Sequence, residues 1–578
     1  MAIEIIEGKR RLRRFLAYDM EWIPGTLQIR IVGVYDGNRY FSFLTVGHFL
    51  GWALSKEHRG KWFYAHAGGL ADVQFVLEEL TQNPRFAGHT VRASFSGSSA
   101  IIVRVSKDKH CWTFVDSYWL LRDKLSEIAK MVDMQKTGPN REDWTEEQIS
   151  NWYATVPFEE LRSYNANDCK ILWRAIEAFQ IAALDLGGQL QMTLASSAMY
   201  LFRRRYLQNR IETTDAINEK ARLAYYAARV EVFRRDAPDP ANYYDVNSLY
   251  PYAMTFPAPG EVIGIDRRLP LGEFDRLFMA DVEIEVPDLY LTPIPARLGG
   301  RLFFPFGKWR TWLLSTDLNL LVMEGGRIHK VHQVYHFEPF HDLANFARDL
   351  YAKRVATEDP VERVTYKLLM NSLYGKFAES EEKSTIHIHP SENTLRRLTF
   401  DNMLFPGAWE ETLTVPVPHV WVPISGHITA VGRATLYKFL GMTRRYHYCD
   451  TDGFSTNDKF STSTDLGALK LERESKGEKW QFVQPKLYRL GDKVKAKGFS
   501  LKRQRAVELF DDLIEGKEIT VRRMRRIREN FRKGSSSPVE MNVIKRLNDS
   551  LPKRHFNRQG ISRPWSIKEL KAKGLKFD

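Results

Sequence analysis

Cysteine is scarce in this chain: three among 578 residues, Cys111, Cys169 and Cys449, far apart and never in a C-x-x-C pair. That spacing excludes a disulfide framework and a cysteine zinc site, and it suits a reducing compartment. Long apolar runs are missing too. No stretch approaches the roughly 20 residues a membrane helix needs, and the basic N-terminal segment has no continuous apolar core, so neither a membrane span nor a secretory leader is expected. No internal repeat with a period of roughly 20–50 residues stands out. Acidic residues are in deficit, 71 Asp and Glu against 85 Lys and Arg, a formal charge of +14. A solvated basic surface and a phosphate-bearing partner account for that excess equally well, and composition does not choose between them.

Core-forming residues are plentiful: 43% of the chain is hydrophobic, with 34 Phe, 24 Tyr and 14 Trp. That suffices for several buried cores and about two to four domains. Residues 1 to about 185 alternate short β-like runs (27–34, 101–105, 112–115) with helical stretches (72–81, 145–153, 168–185), the pattern of a compact α/β domain. A helical connector near 190–207 follows. Strands are expected at 243–246, 281–285 and 444–450, and an αα-hairpin at 343–355 and 361–373 around the turn Glu358-Asp359-Pro360. Residues 260–327, rich in Pro and Gly, look like an inserted subdomain. Arg522, Arg523, Arg525, Arg526, Arg528 and Arg532 crowd the basic tail; as a helix they would cover most of its faces.

Three segments carry candidate chemistry. In Tyr244-Asp-Val-Asn-Ser-Leu-Tyr-Pro251, Asp245 ends an apolar strand; alone it is as well read as a cap. In Tyr448-Cys-Asp-Thr-Asp452, two carboxylates two residues apart around a turn repel each other unless a cation neutralises them. Hard divalent ions take such oxygen ligands, and Asp245, Asp450 and Asp452 together would hold two Mg²⁺ about 3.5–4 Å apart for in-line phosphoryl transfer. In Lys367-Leu-Leu-Met-Asn-Ser-Leu-Tyr-Gly-Lys376, the residues Arg363, Lys367, Asn371 and Tyr374 share one helical face, which opposite a metal-bound triphosphate becomes a phosphate clamp. In the first domain, Asp19 and Glu21 alternate onto one face of a strand, Asp72 opens a helix, and Tyr164-Asn-Ala-Asn-Asp168 precedes another.

The segments DVNSLYP, KLLMNSLYGKF and YCDTD resemble, in order, motifs A, B and C of the B-family DNA polymerases, and look nearest to the protein-primed branch found in bacteriophages, adenoviruses and linear plasmids. The resemblance implies that Asp245 and Asp452 are the main metal ligands, with Asp450 assisting and Val246 beside them. It implies nucleotide contacts at Arg354, Arg363, Lys367, Asn371 and Tyr374, with Tyr250 excluding a 2′-hydroxyl. Gly453 stands where the family usually has Ser. Pro485-Lys-Leu-Tyr488 and Lys495-Ala-Lys-Gly498 resemble its primer-contacting elements, implying DNA contacts at Lys486, Tyr488, Lys497 and Gly498. Tyr225-Tyr-Ala-Ala-Arg-Val230 stands where the family often has Tyr-x-Gly-Gly, implying DNA contacts at Tyr226 and Arg229.

Asp19, Glu21, Asp72 and Asp168 resemble the ligands of the family's proofreading exonuclease, with Tyr164 orienting the attacking water. The second exonuclease motif departs: Ala67 replaces the usual Asn after His66, and Ala71 replaces the aromatic residue before Asp72. Chemistry is expected to survive and grip on a single-stranded 3′ end to suffer.

The fold so implied is a ribonuclease H-like 3′→5′ exonuclease domain (α/β) followed by an α+β right hand of palm, fingers and thumb. The expected divisions are 1–188 exonuclease, 189–259 connector and first palm part, 260–340 an insertion suited to docking a priming protein, 341–378 fingers, 379–430 a second insertion suited to strand displacement, 431–500 second palm part and 501–578 thumb. The expected cofactor is Mg²⁺ or Mn²⁺, two per site. Expected partners are primer–template and single-stranded DNA, dNTPs and a terminal (priming) protein. A monomer in the cytoplasm, a host's if the source is viral, is expected. The alternatives are the same catalyst started from a nucleic-acid primer or from none, and an exonuclease with a vestigial polymerase module.

Overall fold

The computed structural model describes residues 1–96, 99–139, 141, 144–270, 276–497, 505–547 and 550–578. Gly498 lies outside them. No helix among the described residues is long and apolar enough to cross a membrane.

The N-terminal half is built on a ten-stranded sheet. Its strands run in the order Met403–Phe405, Ala408–Thr414, Glu382–Ile388, Thr90–Ser96, Ser99–Lys107, His110–Asp116, Trp62–Ala65, Phe15–Ile23, Gln28–Tyr35, Tyr40–Phe43. The Phe15, Trp62 and His110 strands are mutually parallel and the remaining pairs antiparallel. Parallel strands are covered on both faces. One cover is the 28-residue helix Phe158–Asp185, with a buried stripe (Leu161, Leu172, Ile176, Phe179), which packs on the strands Phe15–Ile23 and Gln28–Tyr35. The helix starts ten residues earlier than the sequence suggests, so Tyr164 and Asp168 lie inside it, one turn apart on one face.

Three strands of this sheet come from 382–414, within the segment expected as a second insertion. The expected boundaries at 259 and 430 fall inside single elements, the strand Ala258–Asp266 and the buried helix Val422–Gly441.

An antiparallel five-stranded sheet follows, ordered Val230–Val232, Tyr446–Asp450, Gly453–Thr456, Asn242–Val246, Leu469–Glu474. The helical hairpin forms as the sequence suggests, Asp342–Ala356 and Pro360–Ser372. Asp359 caps the second helix by accepting from the Val361 and Glu362 amides, and Pro360 sits at its first turn, where its missing N–H costs nothing. Leu369 and Met370 of that helix share one core with Ile176 and Phe179 of the first domain and Ile424 of Val422–Gly441. The 260–327 region lies within a separate sheet, ordered Ala258–Asp266, Arg327–Phe340, Phe278–Val286, Gly307–Leu314.

The arginine cluster is not a helix. Ile519–Met524 is a strand paired with Glu540–Lys545, its alternating Ile519 and Val521 having set the period, and only Ile527–Arg532 is helical. The charges are spent on acids: Arg522 meets Glu540 at 2.5 Å, and Arg528 and Arg532 meet Glu410 at 2.5 and 2.7 Å.

Candidate active sites

Motif A and motif C meet through strand register. Asn242–Val246 pairs with Gly453–Thr456 so that Asp245 faces Gly453, and Asp450 faces Gly453 from the other strand of the turn. The Val246 amide donates to the Asp452 carbonyl at 2.8 Å, which locks the two motifs together. A Cβ at position 453 would lie 2.9 Å from the Tyr243 ring and 3.0 Å from Asp245 Oδ1. Gly453 therefore makes room for this approach, and serine would have to displace one of them.

The turn is strained. Thr451, β-branched, sits at φ 66°, a conformation that costs about 1–3 kcal/mol and persists only where neighbours enforce it. The Arg229 carbonyl enforces it by accepting from the Thr451 amide at 2.9 Å. Burial raises the Asp245 carboxyl to about 7, with Asp452 and then Glu472 adding repulsion, while Lys470 and Lys367 oppose them. Asp452 is raised by burial and by Asp450. Asp450 accepts from Lys486 Nζ at 2.7 Å, Thr451 Oγ1 at 3.1 Å and the Tyr448 hydroxyl at 3.3 Å. A cavity of about 560 Å³ opens over these acids, lined also by Tyr488 and Lys495. Lys497 is tied to Lys486, its amide donating to the Lys486 carbonyl at 2.9 Å.

On the Pro360–Ser372 helix, Arg363 and Lys367 are exposed while Tyr366, Leu369 and Met370 are buried. Arg363 donates to the Thr357 carbonyl at 2.7 Å, and Asn371 to the Lys367 carbonyl at 3.0 Å. Arg354 reaches motif A itself, donating to Ser248 Oγ at 3.2 Å. Tyr374 does not continue the helix face. It opens a 3-10 turn, Tyr374–Ala378, and lies 4.3 Å, ring to ring, from Tyr250.

Two expected DNA contacts are corrected. Tyr226 is 4% and Arg229 1% exposed. Tyr226 bonds Thr311 and Arg229 bonds Glu231 and the Thr292 carbonyl, so neither has surface to offer a nucleic acid.

The second constellation lies at the carboxyl edge of the parallel strands. Asp19, Glu21 and Asp168 each offer an oxygen, all within 4.8 Å of one another. Asp72 is adjacent but outside this trio, its Oδ1 accepting from the Met20 amide at 3.0 Å. Burial raises Glu21 and Asp72 to about 7, Asp168 adding to the first; burial and the neighbouring carboxylates raise Asp19. Such crowded acid oxygens fit a hard divalent cation.

Residues not foreseen hold this site. Asn165, fully buried, donates to Asp19 Oδ2 at 2.9 Å. It fits because Gly33, opposite Asp19, has no Cβ; one would fall 1.7 Å from Asn165 Oδ1. Lys136 forms an ion pair with Asp168 and donates to the Tyr164 hydroxyl at 3.1 Å, and Arg141 donates to the same hydroxyl at 2.6 Å. Asn165 was within the quoted motif; Lys136 and Arg141 carry no local spacing that links them to it.

The fold is a known one. Over 93% of this chain and 100% of the other, it matches the orthorhombic crystal form of Phi29 DNA polymerase with a TM-score of 0.70 at 18% identity, so an α/β exonuclease-type domain is followed by a right-hand palm, fingers and thumb. The family pattern of "DNA polymerase type B, organellar and viral" matches residues 131–432, and the chain belongs to that family. A probable DNA polymerase of Neurospora intermedia is 28% identical over 359 residues, 54% of this chain and 36% of the relative. The chain spans 25% to 36% of the length of the three fungal relatives it matches. The DNA-directed DNA polymerase of Enterobacteria phage PRD1 is 24% identical over 506 residues, covering 81% and 82% of the two chains.

Proposed function

We propose that the chain is a template-directed DNA polymerase with its own 3′→5′ proofreading exonuclease. The observation that carries the reading is the register that brings Asp245 of motif A against the Asp450–Asp452 turn of motif C, under a cavity lined by cations. Asp245, Asp450 and Asp452, with Val246 beside them, would hold two Mg²⁺ or Mn²⁺. When bound, the ions supply Lewis acidity toward the 3′-hydroxyl and neutralise phosphate charge.

The chain's own residues do the rest. Lys367 and Arg363, exposed on one helix face, and Arg354 beside motif A converge on the triphosphate side as point charges and donors. Asn371 and Tyr374 line the nascent pair, and Tyr250 meets the sugar. Lys486, Tyr488 and Lys497 face the primer on the opposite side of the cavity. In the second centre, Asp19, Glu21, Asp72 and Asp168 would hold the hydrolytic metals. Tyr164, its hydroxyl fixed by Lys136 and Arg141, orients a water for attack on the terminal phosphodiester. The segment 1–188 would be the editing domain, 341–378 the fingers and the basic region after 501 the thumb. The test is extension of a labelled primer–template with Mg²⁺, with and without dNTPs. Extension with them and 3′ degradation without them are expected; the absence of both activities would sink the reading.

Initiation on a protein hydroxyl is the finer proposal. It rests on the likeness of motifs A and B to the protein-primed branch and on the four-stranded sheet set between them. Basic residues of this region are largely engaged internally: Arg310 of that sheet with Asp281, and Arg297 and Arg301 of the neighbouring two-stranded sheet with the Tyr225 and Leu551 carbonyls. Lys308 keeps an exposed side chain for a partner. Labelled dATP, a template end and host extract should give label covalently attached to protein; label in free oligonucleotides alone would mean a nucleic-acid primer or none.

A further inference from the structure

Tyr243 stands among the carboxylates of the larger cavity without a place in the motifs. Strand side chains alternate, so it shares a face of Asn242–Val246 with Asp245, two residues on. It lines the same cavity as Asp245, Asp450, Asp452 and Tyr488.

Two neighbours set its ring. Tyr243 stacks on Tyr488, ring centres 6.3 Å apart and 26° between planes, and hydrogen-bonds the Tyr488 side chain. It also fills the ground beside Gly453, where a Cβ would lie 2.9 Å from its ring and 3.0 Å from its hydroxyl. Tyr488 packs in turn on Tyr448, ring centres 5.2 Å apart. The Tyr448 hydroxyl accepts from the Lys486 amide at 2.9 Å and donates to Asp450 at 3.3 Å. Three tyrosines thereby join the strand of Asp245, the motif C turn and the Lys486-Leu-Tyr488 segment. The Tyr243 ring packs against the core of Val230, Tyr448 and Phe482, which phenylalanine would do equally well. A hydroxyl that bonds Tyr488 on the wall of this cavity is what packing alone does not call for.

We infer that Tyr243 is a positioning residue of the polymerase centre: it holds Tyr488 for the primer terminus, in space that only glycine at 453 leaves open. In-line attack needs the primer 3′-hydroxyl within about 3–3.5 Å of the reacting phosphorus, so a small shift of the ring that steers the primer end costs rate. Tyr243 and Gly453 are then a matched pair, each size requiring the other. The inference rests on the polymerase reading above, in which Tyr488 faces the primer.

The test is steady-state primer extension with primer–template and dNTP varied separately. Tyr243→Phe keeps the ring and loses the hydroxyl. It should raise KM for primer–template about threefold to tenfold, the scale of one hydrogen bond, with KM for dNTP within about twofold. Gly453→Ser should slow extension about tenfold or more, the scale of overpacking a filled site. Tyr243→Val vacates that space, so the double variant Tyr243→Val/Gly453→Ser should outpace Gly453→Ser at saturating primer–template. Cooperative thermal unfolding at the wild-type midpoint reports folding; if Gly453→Ser lacks it, Tyr243→Phe decides alone. An unchanged primer–template KM in Tyr243→Phe, or a folded double variant no faster than Gly453→Ser, overturns the inference and leaves the polymerase standing. A wild-type chain that extends no primer overturns both.

Discussion

The rings of Tyr250 and Tyr374 lie 4.3 Å apart at 34°, one on the helical turn after Asp245 and the other just past the Pro360–Ser372 helix. Motifs A and B, more than a hundred residues apart in the chain, thus meet as a tilted aromatic pair. On the proposed polymerase reading, this contact would hold the Tyr250 ring against the incoming sugar. Tyr250→Val should raise ribonucleotide over deoxyribonucleotide incorporation by roughly tenfold or more, the discrimination one steric contact supplies. An incorporation ratio equal to wild type would remove Tyr250 from this role.

Asp452 is half-buried and repelled by Asp450, and its backbone carbonyl accepts from the Val246 amide of motif A. Removing its carboxylate should therefore leave the turn intact and remove metal affinity. Asp452→Ala should cut nucleotide incorporation by roughly 10³-fold or more, since metal ligation supplies several kcal/mol of charge stabilisation. Degradation of single strands, measured in the same preparation, should persist. Near-normal primer extension by the variant would disprove the assignment.

Local signals made the elements around Asp19, Asp245 and Asp359 readable. Asp359-Pro360 caps and starts the Pro360–Ser372 helix, and period-two alternation marks the strands carrying Asp19 and Asp245. Long-range fits were not readable. Nothing near Gly33 announces that Asn165 needs its missing Cβ, and nothing in 382–414 announces pairing with strand Thr90–Ser96. Charge density misled at Arg522 and Arg523, where Ile519 and Val521 decided for a strand. Position within a motif misled at Arg229, which the fold uses as a buried strut.

Ala67 adopts φ 54°, ψ 20°, a left-handed conformation that costs a non-glycine residue about 1–2 kcal/mol and that Asn tolerates better than Ala. Ala67→Gly and Ala67→Asn should both raise the urea midpoint, by about 1 kcal/mol in stability for Gly. Only Asn adds an amide at the 3′-end site, so only Ala67→Asn should lower KM for single strands, by roughly threefold to tenfold for one added hydrogen bond. If Gly lowers KM equally, loop strain and not the missing amide limits the grip.

Glu231 is fully buried between two arginines that are each 1% exposed: Arg229 at 2.5 Å and Arg554 at 3.7 Å. Arg554 belongs to the C-terminal segment and donates to Ser562 Oγ of that segment at 2.8 Å and to the Tyr290 carbonyl at 2.7 Å, while Ser562 Oγ donates to the Phe233 carbonyl at 2.8 Å. Arg229 in turn holds the strained Thr451 amide, and Val230 pairs with Asp450. Glu231→Gln strands two guanidinium charges away from water, which should cost about 3–5 kcal/mol. Because the damage falls one strand away from Asp450, primer extension should decline more than single-strand degradation in the same variant. Adding Arg554→Gln removes one of the stranded charges, so the double variant should be no less stable than Glu231→Gln alone. Equal losses of the two activities, with strictly additive destabilisation, would show that the cluster holds the chain together without bearing on the motif C turn.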